Sequence, residues 1–136
     1  RQMCIRDSNN VLPLDKQTRQ LFFQLGTTAL NNLLGTHGIA LFAALEKAEP
    51  DQAYAKVGLG MSYLCCSEFQ EASSYFQDPV VQGSPLASSG NMLLAISNKL
   101  AGNASGFESA AAQAVEGDPS MGATVESLRH MTASQH

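Results

Sequence analysis

The stretch Val57-Gly58-Leu59-Gly60-Met61-Ser62-Tyr63-Leu64-Cys65-Cys66-Ser67-Glu68-Phe69-Gln70-Glu71-Ala72-Ser73-Ser74-Tyr75-Phe76 decides the fold. Its small residues Gly60 and Ala72, and its large ones Leu59, Tyr63, Phe69 and Phe76, suit two helices that approach closely across a short turn. A glycine inside a helix costs roughly 1 kcal/mol relative to alanine, so Gly58 and Gly60 together cost about 2, which close packing has to outweigh. Stepping 34 residues in each direction finds Leu25-Gly26 before Leu59-Gly60, and Leu93-Leu94 after it. Phe42, Phe76 and Ala110 keep the same interval, and the units close on Pro50, Pro85 and Pro119. Three landmarks recurring together mark a repeat architecture with one helix pair per unit.

The expected organisation is all-α, with units over 15–50, 51–84 and 85–118 and a closing helix over 119–132. Helices are expected at 15–34, 38–48, 51–66, 68–78, 86–101, 104–116 and 119–132, seven in all, with no strands. Asp15 and Asp51 read as N-caps or first-turn acids, Ser67 precedes Glu68, and Asp118-Pro119 opens the last helix. Gly35-Thr36-His37-Gly38 and Ala101-Gly102-Asn103 read as turns within units. The third unit is the most worn, with Leu94 and Ala110 in place of the glycine and phenylalanine.

Residues 1–8, Arg1 to Ser8, look like the translated end of a sequencing adapter and are set aside as non-native, leaving 9–136 as a single domain. The hydrophobic fraction of 44% against 15% charged residues is ordinary for a chain that buries a core. Without Arg1, Arg6 and Asp7, six Lys/Arg stand against eleven Asp/Glu with no long run of one sign. That balance recruits neither nucleic acid nor anionic membrane. No window approaches the roughly 18 apolar residues that a membrane span requires, so a soluble protein is expected. The adjacent Cys65 and Cys66 diverge on a helix and form no disulfide framework, which suits a reducing, cytoplasmic setting.

No catalytic constellation emerges. His37, His130 and His136 are too scattered to share a metal or to serve a nucleophile, and read as a turn residue, a helix C-terminal cation and a chain end. Cys65 and Cys66 lack a second Cys/His pair for zinc. Gly58-Leu59-Gly60 lacks the third glycine, the preceding strand and the lysine of a phosphate loop. A binding module without cofactor or metal is expected, not an enzyme.

Leu59-Gly60, Tyr63, Phe69, Glu71-Ala72, Phe76 and Pro85 resemble the tetratricopeptide repeat (TPR) signature at its main spacings. The resemblance implies a three-repeat α-solenoid in which the first helix of each unit lines a concave groove. The groove positions are then Phe23, Thr27 and Leu30 in the first unit, and Tyr54, Val57, Met61, Leu64 and Cys65 in the second. The third unit supplies Asn91 and Asn98. Such a groove is apolar at its N-terminal end and suits an amphipathic helix better than an acidic peptide tail. Phe23, Leu30, Val57 and Leu64 equally read as core, whereas Met61 beside Tyr54 favours an adaptable contact surface.

The segments Asn103-Ala104-Ser105-Gly106-Phe107-Glu108-Ser109, Gly117-Asp118-Pro119 and Val125-Glu126-Ser127-Leu128-Arg129-His130-Met131 are similar to the end of the TPR-like chaperones of bacterial type III secretion. The resemblance implies a protein that sequesters the amphipathic helix of a needle subunit and prevents premature assembly, with a small helical co-chaperone as a further partner. Two alternatives stay open. One is a chaperone of the translocator class, and the other is a fragment of a longer TPR scaffold.

Overall fold

The computed structural model describes residues 35–131. Seven α-helices follow in order: α1 Gly35–Ala48, α2 Ala53–Cys65, α3 Phe69–Phe76, α4 Pro79–Gln82, α5 Ala87–Leu100, α6 Ala104–Gly117 and α7 Gly122–Arg129. A 3-10 turn, Pro119–Met121, precedes α7, and no strand occurs among the described residues. The helix expected over 15–34, with Leu25-Gly26 and Asp15, lies outside the described residues.

The helices pack chiefly on their neighbours in sequence. α1 lies on α2, α2 on α3, α3 on α5 and α5 on α6, while the 3-10 turn and α7 fold back on α6 and α5. Two clusters form the core. Phe42, Leu45, Ala55 and Leu59 join α1 to α2. A larger cluster runs from Val57 and Phe76 through Val81, Met92 and Ala95 to Phe107, Ala111, Ala114 and Val125.

The glycines of α2 explain how that helix serves both clusters. A Cβ on Gly58 would stand 2.3 Å from the Phe42 ring, and one on Gly60 would stand 2.4 Å from the Phe76 ring. Bare backbone at these two positions lets one phenylalanine ring seat on each side of α2, and the ring contacts offset the helix-propensity cost. Ala72 is fully buried, the small facing surface that the sequence called for.

The boundaries of α2, α3, α5 and α6 fall within two residues of those expected. Four local expectations are corrected. Gly35 to Gly38 are the first turn of α1 and not a loop, because buried Gly35 packs directly on the end of α2, where a Cβ would lie 2.8 Å from Cys66 Sγ. Asp51 caps nothing: Gln52 holds the N-cap position of α2 without a side-chain bond. The stretch after Phe76 forms an unforeseen short helix, α4, in which the Asp78 carboxylate accepts from Val80 N at 2.8 Å and Pro79 occupies the first turn. Asp118 does cap, accepting from Ser120 N at 3.1 Å, but it opens the 3-10 turn, so α7 begins only at Gly122.

Candidate functional site

α2 carries half of the expected groove positions. Tyr54, Met61 and Leu64 are half-buried and Cys65 is exposed at the end of the helix. Val57 is buried and belongs to the larger core cluster, on which Met61 and Leu64 also pack. Tyr54 donates its hydroxyl to Glu49 at 2.6 Å and lines a cleft of about 550 Å³ with Pro79, Val80, Pro85 and Leu86. Phe23, Thr27 and Leu30 lie outside the described residues.

The two asparagines of the third unit sit elsewhere. Asn91 and Asn98, two helical turns apart on α5, line a separate cleft of about 460 Å³ bounded by the end of α3, α4 and α6. No charged side chain lines it. Asn91 is only 7% exposed, and its Oδ1 accepts from Gln82 Nε2 at 3.0 Å. Gln82 spends its other hydrogen on the Phe76 carbonyl, also at 3.0 Å. The structure thus brings Asn91 and Asn98 together and places Tyr54 in a different depression.

Several side-chain contacts that the sequence does not signal shape the surroundings. Lys56, 8% exposed, reaches from α2 to Glu46 of α1 at 2.8 Å and to Asp78 at 3.8 Å. Burial acts to lower its pKa, but the hydrogen bond it donates to Glu46 and the charges of Glu46 and Asp78 outweigh it and hold the ammonium above the usual lysine range. Tyr63 and Tyr75 stack with centroids 5.6 Å apart, and burial together with neighbouring Tyr63 pushes the Tyr75 hydroxyl up. Apolar periodicity signals none of these, since a buried lysine breaks the pattern that finds a core.

The arrangement offers contact chemistry. Burial, followed by the neighbouring Cys66, pushes the Cys65 thiol above its ordinary pKa, which leaves less of the nucleophilic thiolate at neutral pH. His37 lies exposed in the first turn of α1. His130 stands at the end of α7 with Nε2 3.7 Å from Glu126. Among the described residues no group of three His, Cys, Asp or Glu side chains is placed to hold a metal ion, and no helix is long and apolar enough to cross a membrane. Comparison with protein-family models, with curated proteins and with solved structures returns no match.

Proposed function

We propose that this chain is a TPR-type binding module that holds an amphipathic helix of a protein partner along α2, and that it serves as a type III secretion chaperone for a needle subunit. The observation that carries the binding role is the row Tyr54, Met61 and Leu64, three large side chains on α2 that remain only half-buried. A short amphipathic helix is marginal in water and exposes an apolar stripe that self-associates unless it is covered. A flexible thioether at Met61 beside an aromatic ring adapts to such a stripe. The TPR assignment draws support from the 34-residue period and from the seating of Phe76 against Gly60 within the middle unit. The chaperone assignment draws on the C-terminal resemblance alone.

Co-expression tests the reading. A needle subunit encoded beside this chain is expected to shift from the insoluble to the soluble fraction and to co-purify with it. Needle subunits that all stay insoluble would sink the chaperone role. A translocator-derived peptide that displaces the needle subunit from the complex would assign the chain to the translocator class instead.

A further inference from the structure

Resting on the helix-holding function above, we infer that the uncharged cleft beside α5 receives the C-terminal end of the bound helix and caps its unpaired carbonyls through asparagine side-chain amides. The donors are fixed by the protein's own hydrogen bonds. The Phe76 carbonyl can only accept, so Gln82 must turn its NH2 group toward it, and the same group then meets the oxygen of Asn91. Asn91 Nδ2 is left with no partner among the described residues. Since no shielded side-chain nitrogen or oxygen there lacks a partner, this NH2 group keeps some accessible surface, and Asn91 lines the cleft.

Asn103 is oriented in the same manner. Its Oδ1 accepts from Gly106 N at 3.0 Å as the N-cap of α6, which leaves its Nδ2 as the free end of the amide. A Cβ on Gly106 would lie 2.5 Å from Asn103 Nδ2 and 2.8 Å from Asn98 Nδ2, so the bare glycine lets both amides crowd one spot. The Asn98 amide has no internal partner among the described residues and is free to complete the set.

The match to a helix end follows from hydrogen-bond arithmetic. The last turn of a helix presents up to four unpaired carbonyls and no unpaired N–H, whereas an extended strand alternates the two. The amide hydrogens of Asn91 and Asn103 suit the first, beside the adaptable Gln77, Ser109 and Gln113 side chains that also line the cleft. The helix end carries only about half an electronic charge, which neutral amides can solvate, while a full carboxylate calls for a cation that this cleft lacks. On this inference the bound helix has one polarity, with its C-terminus in the cleft at α5 and α6.

The test uses an amidated needle-subunit helix peptide, its free-carboxylate form, and a double-proline version that cannot form a helix, each titrated into the full chain. Asn98→Ala removes no internal bond, and Asn103→Ser keeps an N-cap oxygen. Each is expected to weaken binding of the amidated peptide roughly five- to tenfold without moving the thermal midpoint, the loss of one neutral hydrogen bond. The Asn91 side-chain NH2 resonance is expected to shift on saturation with the peptide. Full-strength binding by both variants, or an unmoved Asn91 resonance, overturns the inference while leaving the chaperone reading intact. Equal binding of the double-proline peptide, or binding of the carboxylate form alone, overturns it in favour of an extended chain or a charged terminus. Failure of the wild-type chain to bind any needle peptide sinks both.

Discussion

A methyl group added at Gly60 would stand 2.4 Å from the ring of Phe76, a side chain with no exposed surface and therefore no room to retreat. Gly60→Ala gains about 1 kcal/mol of helix propensity, but overpacking of this kind costs roughly 1–3 kcal/mol. The variant is expected to lose up to about 2 kcal/mol in urea unfolding, and Gly60→Ala combined with Phe76→Leu is expected to recover part of it, because the shorter side chain frees the space. Strictly additive losses in the double variant would mean that the ring does not set the constraint. Lys56 gives the second prediction at this scale. Its folded-state pKa is raised, so its contribution to stability is complete below the ordinary lysine value of 10.5 and is lost as pH rises through the higher folded value. The difference in urea midpoint between wild type and Lys56→Met should hold steady from neutral pH to about that ordinary value and shrink only above it. A difference that disappears nearer neutrality would assign the effect to another group.

At the scale of elements, α7 is joined to α6 by few apolar contacts and by charge. Arg129 donates to both oxygens of Glu108, at 2.8 and 3.0 Å, and also bonds Glu126. The hydrogen bonds from Arg129 hold the Glu108 carboxyl below the usual carboxylate range. A lowered pKa supplies its stabilisation above the ordinary value and loses it on acidification through the folded one. Arg129→Ala is therefore expected to speed amide exchange across Gly122–Arg129 at neutral pH and leave α2 and α5 protected, and the two proteins should converge under strong acid or high salt. The helices themselves were legible in the sequence because periodicity and the 34-residue interval agree over α2, α3, α5 and α6. α4 was not, since four residues carry no period, yet Asp78-Pro79 is the same opening signal that was recognised at Asp118-Pro119. Overlooking α4 also hid the site chemistry. Gln82, which orients Asn91, sits on it, and a hydrogen bond between residues nine apart across a turn leaves no pattern to read.

Across the whole molecule, α2 stands between two cores, with Phe42 seated at Gly58 and Phe76 at Gly60. Among the described elements α1 packs substantially on α2 alone, whereas α3 touches both α2 and α5. This wiring makes the cooperativity directional. Phe42→Ala and Phe76→Ala each remove a fully packed ring and should cost about 3–5 kcal/mol where the loss is felt. For Phe42→Ala the loss is confined to the smaller cluster, so α1 is expected to exchange its amides early while α5 and α6 keep their protection. Phe76→Ala strikes the cluster that runs from α2 to α7, and exchange is expected to rise in all of them together. Mass-spectrometric exchange on the two variants distinguishes this from a single cooperative unit, in which Phe42→Ala would expose α6 as readily as α1. The distinction bears on binding, because α2 belongs to both clusters. A partner helix laid on Tyr54, Met61 and Leu64 would then stabilise both at once, and in its presence the early opening of α1 in Phe42→Ala should be suppressed along with the rest.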